Sequence, residues 1–389
     1  MKNTSLLLEQ IKLSSTSQIK QMADKRWTDT ISLAGGEPRF EIPEGCLRAV
    51  LEDDSATKYS PARGYPDLVQ LIQQKLEKVN GIKVNEDQII CVTGGCNGIF
   101  STLMALTNPG DEVLLPDPSW EYLSNMVTLA RSVPKRFNYV FNGHRYQPDW
   151  EDLKKQITPK TKAIIINSPL NPLGSVLTQQ EIQSLSEICA HHGVWMISDE
   201  VAETYVFEGN KHLSPAATYD HVITIHSFSK SFALTGIRLG YVSGPKKVID
   251  LIQRYTLFCN MYPPSPSQRI AHRILSSDYQ SFMEEVRCTF ERKMERFAKG
   301  LEGIEGIEFW KPEGGLFLFP KFTLQTEKSL YEILIHEYHL LSVPGESFGA
   351  QGKNHLRLFY GVDETLIDQA IKRIESMNTH YMENTCVKY

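Results

Sequence analysis

Apolar positions along this 389-residue chain alternate between two periods. Short, mostly β-branched runs mark strands buried on both faces: Ile89–Val92, Glu112–Leu115, Ala163–Ile166, Val194–Ile197 and His221–His226. Helical spacing separates them at Ile99–Leu106, from Thr178 to Ala190 and over Pro245–Phe258. Thr178 with Glu181 forms a capping box at the start of the second of these. Ser132–Val140 reads as a further extended piece, with Pro134 favouring an edge, and Arg238–Val242 as another. Upstream, Thr16–Lys25 and a segment from Pro66 to about Gly81 have helical character. Strand and helix in strict alternation predict an α/β domain with a mostly parallel sheet.

The pattern changes after residue 275. A long charged amphipathic helix covers Asp278–Gly300. Short strands follow at Gly315–Pro320, Leu340–Val343 and His355–Tyr360, with helices at Tyr331–His339 and Glu364–Met377 and a polar, frayed tail from Asn378. The expected organisation is an N-terminal arm (1–45) that shares in a small domain, a large domain (46–275) and a C-terminal α+β domain (276–389).

Composition narrows the function classes. Lys+Arg is 41 against 46 Asp+Glu, a net charge of -5, which disfavours nucleic acid or a polybasic membrane contact. No stretch is long and apolar enough to span a bilayer, and the first residues lack the apolar core of a signal peptide. Seven scattered cysteines without a CxxC pair read as free thiols in a reducing compartment, so a cytoplasmic enzyme is expected.

Candidate chemistry collects at strand ends. TGGCNG (Thr93–Gly98) lies between a strand and a helix, where free backbone N–H groups suit a phosphate; it is neither GxGxxG nor a Walker loop. Trp120 follows a strand in PDPSW, Asn171 lies in the proline-stiffened NSPLNPLG, and Asp199 ends a strand in SDE. The run SFSKSFALTGIRLG places Lys230 between two serines, with Arg238 nearby. A lysine there suits a Schiff base with an aldehyde cofactor; a serine hydroxyl and an arginine fork suit its phosphate. Each piece alone is equally a turn, a cap or a surface loop. Open α/β sheets, however, bind ligands at the C-terminal edge of their strands.

In this order the motifs resemble the fold-type I pyridoxal-phosphate (PLP) enzymes, in particular class I/II aminotransferases, from Ile31 to about Gly361. YSPARGYPDL from Tyr59 and HLRLFYG from His355 also fit in position. The resemblance implies a mostly parallel seven-stranded sheet domain with a smaller α+β domain. It implies Lys230 as the Schiff-base lysine and proton carrier, and Asp199 as partner of the pyridine nitrogen. Asn171 would bond the ring's phenolic oxygen and Trp120 would stack on the ring. Ser227, Arg238 and the backbone of Gly95, Cys96 and Asn97 would hold the phosphate, with Tyr59 reaching the site of the other subunit in a homodimer. Arg357 would clamp the substrate α-carboxylate, close to Gly36. The implied reaction moves an amino group from an L-amino acid to a 2-oxo acid; the alternative is elimination or cyclisation on the same cofactor.

Two positions depart from the family pattern. Ala202 stands where a tyrosine usually bonds the phenolic oxygen, with Tyr205 as a possible substitute, and Leu173 replaces a small threonine. Side-chain specificity is not legible, although Phe40, Trp120, Tyr122, Tyr262 and Phe348 would allow an apolar or aromatic substrate.

Overall fold

The structure, a computed structural model, describes residues 5–9, 11, 29–43, 45–324, 326 and 329–386. The helix expected at Thr16–Lys25 lies outside them. Eight strands form the large sheet: β1 (Ile89–Val92), β2 (Glu112–Asp117), β3 (Val133–Phe141), β4 (Tyr146–Pro148), β5 (Thr161–Asn167), β6 (Trp195–Asp199), β7 (Val222–Ser227) and β8 (Gly240–Ser243). Their order is β1-β8-β7-β6-β5-β2-β3-β4. The eighth strand, beyond the seven expected, is the three-residue β4, which returns antiparallel along β3. It pairs only with Tyr139–Phe141, so the Pro134 end of β3 is the edge that a proline tolerates.

Strands β2, β3, β5, β6 and β7 run parallel; β8 lies antiparallel between β1 and β7. That arrangement brings the C-terminal ends of β1, β5, β6 and β7 and the entry to β8 to one edge. Gly240 pairs with both Val92 and Ser227, which closes the edge around three motif loops. Arg238 does not begin the strand as the sequence predicts: its φ is +53°, and the extended run starts two residues later.

Helices cover both faces of the sheet. They include α1 (Pro66–Lys75), α2 (Gly95–Leu106), α3 (Tyr122–Leu129), α4 (Gln179–His192), α5 (Lys246–Cys259) and α6 (Ser265–Leu275). The long helix α7 (Tyr279–Leu301) then packs with α8 (Glu364–Cys386) around a second core that includes Ile31, Leu33, Phe290, Leu318, Leu358 and Ile374. In it, β11 (Leu356–Phe359) is flanked antiparallel by β9 (Phe317–Leu318) and β10 (Val343–Pro344). The final helix runs on to Cys386, not fraying after Met377: Asn378 donates to the Glu305 carbonyl, Tyr381 reaches Glu337 Oε2 at 2.8 Å, and Tyr381 and Met382 pack on this core. No helix of the described residues is long and apolar enough to cross a membrane.

Candidate active site

A cavity of about 370 Å³ opens at the sheet edge and reaches the second core. Strand ends supply one side: Gly95 and Cys96 after β1, Asn167 at the end of β5 with Pro169 to Asn171 after it, Asp199 at the end of β6, and Ser227 at the end of β7 with Lys230 after it. Gly35, Gly36 and Glu37 form another side, and Gly315, Leu316, Phe317 and Arg357 a third.

At one end the cavity meets the N-terminus of α2. Gly94, φ +88°, is its N-cap, and a Cβ there would stand 2.8 Å from Arg238 Nη2, so only glycine lets the guanidinium lie against the turn. The first-turn N–H groups have no intrahelical acceptors and point out of the helix end. Ser227 caps the short turn that carries Lys230, accepting the Ser229 N–H at 3.1 Å. Arg238 is held by the Thr235 carbonyl (2.7 Å). Amides, hydroxyl and guanidinium together suit a dianion. Asn97 is turned away: its Oδ1 accepts the Thr93 N–H (3.2 Å) and its side chain does not line the cavity.

Asp199 lines the same cavity. It is buried, takes the Val201 N–H at 3.3 Å, and has its carboxyl pushed up to about 7 by burial, with Glu200 adding and the Val201 amide opposing. A buried acid of this kind is stabilised by a cation placed against it in the cavity. Asn167 pairs in register with Asp199 and donates to its carbonyl (2.9 Å); its Oδ1 takes the Asn171 N–H (2.8 Å). Sequence reasoning missed Asn167, although it ends a buried apolar run just as Asp199 does.

Lys230 lines the cavity and donates to the Gly36 carbonyl. Arg357, on β11, is 3 % exposed; it stacks on Phe317 (4.1 Å) and Phe348 (4.9 Å) and donates to Asn171 Oδ1 (3.4 Å) and the Ala34 carbonyl (3.3 Å). Burial lowers its pKa to about 10, which leaves it a cation at neutral pH. A guanidinium so enclosed suits a carboxylate.

Similarity to known proteins agrees with this geometry. A sequence model of "Aminotransferase class I and II" matches residues 28–374. The chain belongs to this family. It is an aminotransferase, an enzyme of the PLP-dependent kind that moves amino groups between amino acids and 2-oxo acids. It is 32% identical to an aspartate aminotransferase of Pyrococcus abyssi, over 95% of this chain and 97% of that one. It is also 32% identical to aromatic-amino-acid aminotransferase 2 of Thermococcus litoralis, over 95% and 98%. Its fold superposes on a double mutant of Thermus thermophilus aspartate aminotransferase with a TM-score of 0.91 at 29% identity, covering 97% of this chain and all of that one. For aspartate aminotransferase from Rhizobium meliloti the values are 0.92 and 27%.

The remaining expected residues divide. In this aminotransferase Trp120 lines the cavity and stacks, tilted, on Tyr122 at 4.8 Å. Ala202 lines it too. Tyr205 does not substitute for the missing phenol: it is fully buried among Phe290 and its neighbours, and its hydroxyl donates to the Lys230 carbonyl (2.9 Å). Leu173 is buried core, outside the cavity. Tyr59 is 78% exposed and packs on Tyr262 (5.1 Å), away from the cavity of its own chain. Phe40 belongs to the second core, against Phe282 and Phe290. Glu37, Leu316 and Phe317 line the cavity without having been singled out, as does Thr235 from within the Lys230 run; Thr235 donates to Glu37 from a segment 198 residues away.

Proposed function

We propose that PLP lies across this cavity, with its phosphate at the N-terminus of α2 and its pyridine nitrogen at Asp199. The observation that carries the reading is one cavity lined by a lysine, a buried acid, and a helix N-terminus with a serine and an arginine beside it. Ser227, Arg238 and the amides of Gly95, Cys96 and Asn97 would hold the phosphate; Asn171 would bond the phenolic oxygen and Trp120 cover the ring. When bound, PLP supplies an electron sink for the bond broken at the substrate Cα. Asp199 would keep a proton on the ring nitrogen. The Lys230 amine would anchor the cofactor and, once the substrate amine has displaced it, would be the base that moves the substrate Cα proton. Arg357 fixes the α-carboxylate beside Gly36, and Phe317 keeps water from the far side of that contact.

The amino donor we propose is apolar or aromatic. Lys230, Arg238 and Arg357 all have tasks with cofactor or α-carboxylate, no further lysine or arginine of the described residues lines the cavity, and its wall includes Ile99, Trp120, Tyr122, Leu316 and Phe317 beside Glu37 and Thr235. Nothing contributed by the described residues is left to pair a second carboxylate. The enzyme would work as a homodimer in which Tyr59 reaches the phosphate of the partner. Free thiols, two of them buried with their pKa raised to about 12 by burial, suit a reducing cytoplasm.

The experiment is an absorbance titration of the PLP-loaded protein with single amino acids in the absence of a 2-oxo acid. A stoichiometric bleaching of the yellow band by phenylalanine or leucine, restored by a 2-oxo acid, is expected. Repeated release of ammonia and keto acid would mean elimination instead. Lys230→Ala should hold PLP without a covalent link, so that borohydride fixes no cofactor to the chain, and lose turnover by roughly 10⁴-fold or more, the scale of losing an essential nucleophile and base.

A further inference from the structure

Arg145 lies outside the cavity, on the turn before β4. Its guanidinium ties together segments far apart in sequence. Nε and Nη2 grip both oxygens of Glu313 (2.8 and 3.0 Å), Nη1 reaches Glu181 Oε1 (2.7 Å), and Nη2 also donates to the Val176 carbonyl (2.6 Å). Glu313 Oε2 accepts the Val176 N–H as well (2.9 Å). The three ionic side chains are only 15, 15 and 9% exposed, so salt screens them little.

Two walls of the active site meet at this cluster. Glu313 belongs to the strap 312–315, which leads into the cavity residues Leu316 and Phe317. Val176 belongs to the loop that carries Asn171. Strap and loop touch without room for a side chain: Gly314 N–H donates to the Gly174 carbonyl (3.0 Å), and a Cβ on Gly174 would stand 2.3 Å from Pro312. A Cβ on Gly314 would stand 2.3 Å from the Tyr205 carbonyl, which already takes the Gly315 N–H at 2.7 Å. At the cavity end the same two segments are bridged again, because Phe317 carries the Arg357 guanidinium and Arg357 donates to Asn171. Arg145 is thus the outer fastening of a joint whose inner face is the carboxylate clamp.

We infer that Arg145 is a positioning residue that sets the spacing between Arg357 and Asn171, and so the place of the substrate carboxylate relative to the cofactor. The inference rests on the role proposed for Arg357. Lysine cannot replace it, since the task needs a planar fork that serves two carboxylates and a carbonyl at once.

Three variants test this: Arg145→Met, Arg145→Lys and Glu313→Gln, the last keeping the shape of the strap should Arg145→Met fail to fold. The probe is hydrocinnamate, a carboxylate without an amine, titrated against the visible absorbance of the PLP-loaded protein. A displacement of about 1 Å can cost roughly 10²-fold, so the dissociation constant should rise by roughly tenfold or more in each variant, with PLP affinity near the parent's. Amide hydrogen exchange on the PLP-free protein reads the joint itself: Val176, Gly314 and Gly315 should exchange faster. Unchanged exchange at those amides, unchanged probe affinity, or a loss of PLP affinity as large as the loss of probe affinity would each overturn the inference. A parent protein that takes up PLP but binds no hydrocinnamate would overturn the Arg357 reading beneath it, and that is visible before any variant is made.

Discussion

At the scale of single residues, Asp199 shows what a buried acid costs the folded protein. Burial pushes its carboxyl up to about 7 from an unfolded value of 3.8. A folded-state pKa above the unfolded one gives a contribution to stability that is full below the unfolded value and is lost as pH rises from there through the folded one. Each pKa unit corresponds to about 1.4 kcal/mol, so PLP-free protein should lose on the order of a few kcal/mol of stability between about pH 4 and pH 7 through this one group. Asp199→Asn should remove that part of the pH dependence and make the PLP-free protein more stable than the parent at pH 8, while weakening PLP binding. Urea unfolding of both proteins at pH 5.5 and pH 8 checks it; equal slopes would exclude Asp199 as the source.

At the scale of elements, a buried charge cluster fastens α1 to the strand ends beneath the cavity. Lys75 Nζ meets Glu203 Oε1 at 2.5 Å, with side chains 1 and 3% exposed; Asn80 donates to Glu203 Oε2 (2.6 Å). His226, on β7, lies 3.5 Å from Glu203 and 3.9 Å from Glu200, which His212 and Ser214 also bond. Burial opposes ionisation of Glu203, but Lys75 and His226 outweigh it and hold the carboxyl well below its usual range. Removing one partner of such a pair leaves a buried charge uncompensated, so Lys75→Met should cost about 3–5 kcal/mol in denaturant unfolding. Adding Glu203→Gln should recover part of that loss; a double variant less stable than Lys75→Met would show that Glu203 does not depend on Lys75.

The difference between this cluster and the cavity explains what could be read in advance. Asp199, Ser227 and Asn171 follow short buried runs, and the parallel topology those runs dictate sends their ends to one edge. Lys230 needed only its place after such a run. Asn97, Tyr205 and Arg145 were illegible for the opposite reason. Whether Asn97 faces a ligand or caps Thr93 is settled by a rotamer, and Tyr205 and Arg145 by partners 25 and 168 residues away. The helical tail past Met377 likewise depends on Glu305 and Glu337. Local pattern fixes element type and strand ends, whereas contacts between distant loops follow from packing that the pattern does not encode.

On the scale of the whole molecule, one group of exposed apolar side chains lies near the N-terminus of α2. Leu47, Leu51 and Tyr59 are 60, 88 and 78% exposed, and Phe258 and Met261 are 92 and 50% exposed. The two segments meet where Tyr59 packs on Tyr262, and Asn260 Nδ2 bonds Thr93 Oγ1 (3.0 Å), just before the N-terminus of α2. Large apolar groups left in water beside the turn proposed to hold the phosphate fit a surface covered by a second copy of the chain. Phe258→Asp should therefore shift the protein from dimer to monomer in sedimentation velocity and weaken PLP binding with it. Tyr59→Phe should leave the dimer intact and weaken PLP alone, by roughly 10-fold or somewhat more, the range for one hydrogen bond to a charged group. A parent protein that sediments as a monomer and still holds PLP tightly would remove the need for a partner's tyrosine, and with it this account of the exposed surface.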